Sequence, residues 1–520
     1  MQTQEISMAD ESAALHDLNL YPDDDLNRAL AANVHPHDWI NPQPERRYNL
    51  VVIGAGTAGL VAAAGAGGLG ARVALIERHL MGGDCLNVGC VPSKAIIRSA
   101  RAIYDLREAH RYGVVGAGQP QVDFPAVMRR MRRIRSEISP HDSARRFAEE
   151  YGVDVYLGAA RFTGPDRVEV DGRELEFSRA VVATGARAVV PPIPGLAEAG
   201  FLTNETIFNL TELPHRLAVV GGGPIGCELA QTFSRFGSRV TLIERADQFL
   251  QREDRDAATV LLGAMRRDGV DVRLSTSLAE VEKRDGEKVL RLEGEGGGTL
   301  TADAILVGVG RAPNVEGLGL ETARIAFDRG GIGVDDFLRT SNRRIFAAGD
   351  VCLPFKFTHT ADIAARAVIQ NAFFSFVGRK RFSRQVIPWC TYTDPEIAHV
   401  GLNERMAAQE GVAIDSYSVR MDDVDRALAE GETEGFLKVH TKKGSDTIVG
   451  ATLVSRHAGE SISELTLAMV AGVGLGKIAG VIHPYPTQAE AIHKAADAYN
   501  RTRLTPLAAK LFRWLFTIRR

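Results

Sequence analysis

YNLVVIGAGTAGLVAAAGAGGLGARVALIERH, residues 48–79, changes texture three times within one short stretch. A β-branched apolar run reaches Ile53, a glycine turn Gly54-Ala55-Gly56-Thr57-Ala58-Gly59 follows, then an alanine-rich segment, then a second apolar run that ends in Glu77. Short continuous apolar runs on either side of a helix-forming segment read as a βαβ unit whose strands are buried on both faces. In such a turn the first glycine permits the tight bend, the second lets backbone approach a pyrophosphate, and the third lets helix pack on strand. The helix start adds N–H groups and the positive end of its dipole. Glu77, eighteen residues past Gly59, is placed to accept hydrogen bonds from an adenosine ribose, so a dinucleotide site is the expectation.

The plan recurs at RLAVVGGGPIGCELAQTFSRFGSRVTLIER, residues 216–245, with Gly221, Gly223 and Gly226 in the turn and Glu244 again eighteen residues past the last glycine. An internal duplication implies two nucleotide-binding domains. A carboxylate at Glu244 favours the free 2′-OH of NADH over a 2′-phosphate, while Arg239 and Arg245 keep NADPH open. VVATGARAVVPPIPG, ILVGVGRAPN and RIFAAGDVC are apolar strands running into glycine turns, as expected where a chain crosses between domains. From about Pro388 the pattern is mixed strand and helix without a further phosphate turn, and reads as a separate α+β domain.

Composition narrows the function classes. Lys+Arg 62 against Asp+Glu 65 leaves a net charge of −3, so no global field recruits nucleic acid. Five cysteines in 520 residues are too few for a secreted disulfide framework, no signal-peptide pattern opens the chain, and no apolar run reaches the ~18 residues of a membrane span. The cytoplasm is the expected compartment. Before residue 28 stand Glu5, Asp10, Glu11, Asp17, Asp23, Asp24 and Asp25 with no Lys or Arg, then HPHDWINPQPERR. Residues 1–46 therefore read as an acidic extension or lid outside the main fold.

Directly after the first βαβ unit, GGDCLNVGCVPSK (82–94) sets Cys85 and Cys90 five apart. Free cysteines are most often small buried hydrophobes. A zinc clip needs ligand spacings of about 2 to 4 and a second pair, so no metal site is expected. A dithiol five apart on a helical turn can instead close a small, strained, reducible disulfide of the catalytic or regulatory kind. Lys94 falls on the same helical face as Cys90, where it can stabilise a thiolate. Cys227, Cys352 and Cys390 read as core or supporting residues.

Taken together, GAGTAG, GGDCLNVGCVPSK, the ATG at 183–185, GGGPIGCE, GVGRAPN and FAAGD resemble the class I pyridine nucleotide-disulfide oxidoreductases, the family of dihydrolipoamide dehydrogenase, glutathione reductase and mercuric reductase, from residue 48 to about 497. The resemblance implies an α/β fold with two Rossmann-like dinucleotide-binding domains, for FAD (47–200 and 341–385) and NAD(P) (201–340), plus an α+β dimerisation domain (386–498) and a tail (499–520). It implies that Gly54, Gly56, Gly59, Glu77 and Asp350 hold FAD, with Gly83, Thr184, Gly185, Arg311 and Gly349 along the same cofactor. It makes Cys90 the flavin-proximal thiol and Cys85 the thiol that meets substrate, and it pairs Lys94 with Glu228 beside the flavin. Pro224 departs from the family, whose members often hold an aromatic lid residue there.

The larger departure is His483-Pro484-Tyr485-Pro486-Thr487-Gln488-Ala489-Glu490. Disulfide reductases of the family end in His-Pro-Thr-x-x-Glu, with the histidine working across a homodimer interface. Aligning Pro-Thr and Glu490 places Tyr485 there, with His483 two residues upstream. A phenol titrating near about 10 is a poor proton shuttle at neutral pH, and tyrosine at this position is similar to mercuric reductase. That family's C-terminal vicinal cysteine pair is not found in LAAKLFRWLFTIRR. The expected function is NAD(P)H oxidation through FAD and the cysteine pair onto a thiol-reactive acceptor such as Hg(II). The alternatives are disulfide reduction with His483 as the acid-base group, and a membrane-docked redox sensor or electron-transfer partner. Residues 501–520 carry six basic residues and no acid, with Leu507, Leu511, Trp514, Leu515 and Ile518 on one helical face; this is the pattern of peripheral membrane contact or of a docked helix.

Overall fold

The computed structural model describes residues 15–44, 46–115 and 120–519; Glu5, Asp10 and Glu11 of the acidic stretch and Arg520 of the tail lie outside the described residues. The chain divides into two compact units, one running to Gly221 and including Thr232–Ile243 and Thr276–Gln385, the other comprising Gly222–Gln231, Glu244–Ser275 and Val386 onward.

In the first unit, strand Tyr48–Ile53 lies between Val73–Glu77 and the second half of Arg173–Val182, all parallel, with Asp154–Leu157 and Ile345–Ala347 on the outer sides. Alternate residues serve two cores. Leu50, Val52, Leu75 and Val181 face a layer containing Ala62, Ala63 and Ala66 of helix Thr57–Gly68 and Ala361, Ala364 and Ala365 of helix Thr358–Phe373. Tyr48, Val51, Ile53, Ile76 and Val182 face the other. Burial on both faces explains why the strands are continuously apolar. Gly54 N donates to Ile76 O at 2.8 Å, so the turn and Glu77 leave the sheet together at the carboxyl ends of its strands, where open α/β sheets bind ligands.

A second parallel set places Arg216–Val220 between Arg239–Ile243 and Ala304–Val307, and an antiparallel meander of Thr276–Arg284, Glu287–Gly294 and Gly298–Ala302 accompanies it. The second unit holds an antiparallel sheet in the order Pro388–Thr391, Glu396–Gly401, Ile448–Ser455, Phe436–Lys442, Ile414–Arg420. Ile462 and Leu465 of helix Ala458–Ala471 and Ile492 and Ala495 of helix Glu490–Thr502 share one core with Val400, Leu437 and Leu453 of that sheet. Two βαβ-based sheets and an α+β unit are the fold class expected from the sequence.

The extension departs from expectation. Leu15, Leu18, Leu20, Leu30 and Val34 are buried in the same core as Leu50 and Leu75, so residues 15–44 are part of the main fold, not an appendage outside it. Trp39 Nε1 donates to Val155 O at 3.0 Å, and Asn41 both donates to Leu157 O at 2.9 Å and accepts from Leu157 N at 2.8 Å, which closes the edge of the outermost strand. The acids that suggest a solvated segment are ion partners: Asp24 binds Arg132 at 2.7 Å, and Asp25 binds Arg129 at 3.1 Å. Among the described residues, no helix is long and apolar enough to cross a membrane.

Candidate active site

The first glycine turn is shaped for close backbone approach. Gly54 has φ +100°, and a Cβ there would lie 2.4 Å from Ala183 O. Gly56 caps helix Thr57–Gly68 and Gly59 lies in its first turn, so the amide end of a twelve-residue helix opens onto the turn. Glu77 Oε2 accepts from Ala55 N at 2.6 Å and Oε1 from His79 N at 2.8 Å. Burial pushes the Glu77 carboxyl up, and those amides pull against it. Asp350 is likewise pushed up by burial and pulled down by Arg311 and Lys356. Arg311 is ion-paired with Asp84 and lies 3.5 Å from Asp350, its Nε buried without a hydrogen-bond partner. An open cradle, a carboxylate at the strand end and a spare buried guanidinium donor beside a second carboxylate fit a dinucleotide such as FAD.

Thr184 lies directly against this cradle, 3.0 Å from where a Cβ on Gly54 would stand. Thr184 Oγ1 donates to Asn314 O at 2.7 Å, Asn314 Nδ2 donates to Thr184 O at 2.9 Å, and Asn314 N donates to Gly185 O at 3.0 Å. Arg311–Pro313 pairs antiparallel with Ala186–Ala188. The two crossing segments are thus clamped to each other, and Asn314, absent from the sequence-based selection, is the clamp. Gly349 leads from strand Ile345–Ala347 into Asp350, whose carbonyl accepts from Lys356 Nζ at 2.7 Å.

Cys85 sits in the short helix Gly83–Asn87 and is half-buried; Cys90 is exposed and is the first residue of helix Cys90–Glu108. Gly89 between them is indispensable sterically, because a Cβ there would stand 2.6 Å from Asp84 O and 3.5 Å from Cys85 Cα. Cys90 Sγ is 3.3 Å from Thr358 Oγ1, at the start of helix Thr358–Phe373. Two helix N-termini therefore meet at the pair, and positive dipole ends stabilise thiolate. The Cys85 thiol is pushed up chiefly by hydrogen bonding to Cys90, then by burial and the charge on Cys90; Thr358 pulls it down. This asymmetry suits a pair in which one sulfur carries the negative charge at a time. A cleft of about 400 Å³ opens beside Cys90, lined among others by Lys94, Arg98, Arg130 and Ile134. Lys94 Nζ lies 3.4 Å from Ser93 Oγ.

Support for the cysteine loop comes from residues the sequence does not single out. Arg135, 1 % exposed, donates through Nη1 to Asn87 O at 2.8 Å and through Nη2 to Asn27 Oδ1 at 2.6 Å. Asn87 Nδ2 in turn donates to Met81 O and Gly83 O at 3.0 and 2.9 Å. Met81 N donates to Val34 O at 3.1 Å. The extension thus holds the segment between the two cysteines through a buried cation. Burial lowers the Arg135 guanidinium to about 10, which leaves it charged at neutral pH.

The second glycine turn repeats the first at atomic detail. Glu244 Oε2 accepts from Gly222 N at 2.7 Å and Oε1 from Ala246 N at 2.9 Å, the same offsets by which Glu77 engages Ala55 and His79. Gly221 follows strand Arg216–Val220, Gly223 precedes helix Pro224–Phe236, whose first residue is Pro224, and Gly226 lies in its first turn. Glu228, buried on that helix, accepts from Tyr392 N at 2.8 Å. Burial pushes the thiols of Cys227 and Cys352 up, while Cys390 is half-buried, its thiol 3.6 Å from Thr391 O.

Tyr485, His483 and Glu490 belong to the second unit. The Tyr485 hydroxyl, on a side chain 70 % exposed, donates to Asp425 Oδ2 at 2.8 Å, and Asp425 pushes the phenol up. His483 lies 2.9 Å from Glu464 Oε1 through Nε2 and 3.2 Å from Val481 O through Nδ1, so both ring nitrogens face acceptors. Glu490 Oε2 is buried without a hydrogen-bond partner. Ile482, three residues before Tyr485, is exposed, as are Leu467 and Val470 on the helix that carries Glu464.

Residues 48–370 match the pyridine nucleotide-disulphide oxidoreductase family, and residues 387–496 match its dimerisation domain. A mercuric reductase of Streptomyces lividans is 34 % identical over 465 residues, 88 % of this chain and 97 % of the relative. A dihydrolipoyl dehydrogenase of Thermus scotoductus is 34 % identical over 467 residues, 88 % of this chain and 98 % of the relative. Among solved structures, the HOCl-induced flavoprotein disulfide reductase RclA from Escherichia coli superposes with a TM-score of 0.77 at 30 % identity, covering 86 % of this chain and 99 % of that one. Its Cu(II) complex gives 0.76 at 29 % identity, covering 86 % and 98 %.

Proposed function

The chain belongs to the pyridine nucleotide-disulphide oxidoreductase family, and on that footing we propose that it reduces a soft, thiol-bound metal ion of the Hg(II) type with electrons from NADH. As a flavoprotein disulfide oxidoreductase with the family's dimerisation domain, it uses FAD and a nicotinamide dinucleotide. Bound FAD supplies two-electron exchange between the nicotinamide and the cysteine pair.

The protein's own part is placement and charge. Glu77, Asp350 and Arg311 hold the cofactor, and the helix starts at Cys90 and Thr358 favour a thiolate on the pair. The metal ion, as substrate, exchanges its two thiol ligands for the sulfurs of Cys85 and Cys90, whose protons leave with those ligands as free thiols. It leaves as the neutral metal once two electrons have reached it; one NADH becomes NAD⁺, and the proton it releases, with one more from solvent, returns the pair to two thiols. Glu244 is the group that selects NADH, since a 2′-phosphate would approach its carboxylate. Tyr485 reaches a partner subunit's site across the apolar face of Leu467, Val470 and Ile482 in a homodimer. The cytoplasm supplies NADH and keeps the pair reducible.

The observation that carries this reading is the state of Tyr485. A phenol ordinarily titrates near about 10, and Asp425 pushes that of Tyr485 further up, which makes it a poor base for thiol–disulfide exchange; the ring nitrogens of His483 already face Glu464 and Val481 O. A metal ion needs no such base. Similarity to mercuric reductases at 34 % identity supports the same substrate class.

The test is NADH oxidation followed at neutral pH with Hg(II) supplied as a thiol complex, and Cu(II) in parallel. Metal-stimulated turnover should vanish in Cys85→Ser and Cys90→Ser. Metal-independent turnover of lipoamide or glutathione disulfide at a comparable rate, lost in His483→Ala and retained in Tyr485→Phe, would overturn it.

A further inference from the structure

The redox chemistry leaves one ordered element unused. Helix Pro506–Ile518 is capped by Thr505, whose Oγ1 accepts from Ala508 N at 3.2 Å, and none of its residues is buried. Its large apolar side chains range from 37 % exposed at Leu515 to 79 % at Leu507, with Leu511, Phe512, Trp514, Phe516 and Ile518 between. That much apolar surface on one short helix marks an interaction site.

The arrangement of that surface selects the partner. At 100° per residue, the arc from Trp514 through Leu507, Ile518, Leu511, Leu515 and Phe512 to Phe516 covers roughly 200° of the helix. A helix seated in a protein groove presents a stripe of i, i+3, i+4 and i+7 anchors about 100° wide. Here the apolar arc is twice that, and the remaining wedge holds Lys510, Arg513 and Thr517. A helix lying in the plane of a bilayer interface buries such an arc while its wedge stays at the headgroups. Trp514 sits at the boundary between arc and wedge, the position an indole takes at headgroup level.

Charge and length narrow it further. Arg501, Arg503, Lys510, Arg513 and Arg519 follow Asp497 without another acid, in a chain whose net charge is −3. The excess of positive charge is therefore local to this segment and complementary to anionic headgroups. Thirteen residues at 1.5 Å per residue span roughly 20 Å, short of the hydrocarbon thickness of about 30 Å, so the helix lies on a bilayer and does not cross it.

We propose that residues 501–519 dock this protein on an anionic lipid surface, with helix Pro506–Ile518 embedded along the interface. Docking is separable from redox chemistry, because no residue of the segment belongs to the cysteine pair, the glycine turns or the Tyr485 loop.

The experiment is flotation of the full-length holoprotein with phosphatidylcholine vesicles, with and without phosphatidylglycerol. The bound fraction should be at least about tenfold higher on the anionic vesicles and should fall as salt is raised. Leu511→Glu with Leu515→Glu should abolish flotation, and so should deletion of residues 503–520, with NADH:dye activity unchanged in both. Retained dye activity shows that a variant is folded, so lost flotation then reads the helix alone. Absence of binding to anionic vesicles, or equal binding by the deletion variant, would overturn the proposal. A deletion that lowers the oligomer mass in sedimentation without any vesicle binding by the parent protein would assign the helix to a second copy of the chain, and would also overturn it.

Discussion

The contact between Asn27 and Arg135 should behave as a coupled pair worth about 2 kcal/mol, and a double-mutant cycle measures it. Asn27 is fully buried and its side chain makes two bonds: Nδ2 donates to Pro22 O at 2.7 Å, and Oδ1 accepts from Arg135 Nη2 at 2.6 Å. Replacing it by alanine loses about 1 kcal/mol for the neutral bond and about 2 kcal/mol for the one to a buried guanidinium, which is left without water to replace its acceptor. In an Arg135→Met background only the first loss remains. The cycle should therefore return about 2 kcal/mol of coupling, or about thirtyfold in the equilibrium for local opening. Native-state proteolysis of the segment around Trp39 reads that equilibrium when reclosing outpaces cleavage. Because Arg135 also binds Asn87 O between the cysteines, the same variants should speed alkylation of the Cys85–Cys90 pair in the same rank order. Additivity within about 0.5 kcal/mol, or alkylation rates indifferent to Asn27, would refute the chain of contact from the extension to the redox loop.

Gly89→Ala should cost at least about tenfold in NADH-dependent turnover, because its Cβ would stand 2.6 Å from Asp84 O and force the two cysteines apart; thiol titration of the oxidised protein should then find the pair unclosed. Thr358→Val removes a group that pulls the Cys85 thiol down, so alkylation of the pair near neutral pH should slow, and an unchanged pH profile would show that the hydroxyl does not act on the sulfurs. Glu253, 4 % exposed and bonded to Trp389 Nε1 at 2.6 Å, is raised by burial to about 7. Its native form binds a proton more tightly than the unfolded chain, so the stability it contributes is full below about 4.5 and lost as pH rises to about 7, a change of about 3 kcal/mol. Glu253→Gln should remove that slope, and the gap between variant and parent in urea unfolding should widen in the variant's favour from pH 5 to pH 8 (about 3 kcal/mol at most).

What was legible in the sequence was local. Each glycine turn and its acid act through neighbours within one βαβ unit, and the offset from Ala55 to Glu77 recurs from Gly222 to Glu244 because the strand–helix–strand geometry is the same. The cysteine segment was legible for the same reason. Residues acting across long separations were not: Thr358 meets Cys90 from 268 positions away, and Arg135 meets Asn27 from 108. Acid content drew the extension toward solvent, although helix Asp25–Val34 carries a readable signal, with Asp24 as its cap and Asn27, Leu30 and Val34 buried at helical spacing. Composition describes a segment by its average, whereas docking is decided by one face of it.

That distinction bears on where acceptor choice resides. The glycine turns, the paired acids and the cysteine loop support electron transfer to a disulfide in any member of this family, so they do not discriminate among acceptors. Discrimination has to come from groups that meet the acceptor and differ in chemistry; under the function proposed above those are Tyr485 and its hydrogen-bond partner Asp425. Asp425 starts helix Asp425–Glu430, where the dipole favours a carboxylate, and accepts from the phenol. It orients the phenol and keeps its proton. A phenol held in that way commits its one proton to Asp425 and cannot take the proton of an attacking thiol. Asp425→Asn should therefore disturb metal-dependent turnover more than dye reduction, because dye reduction bypasses the step that Tyr485 serves.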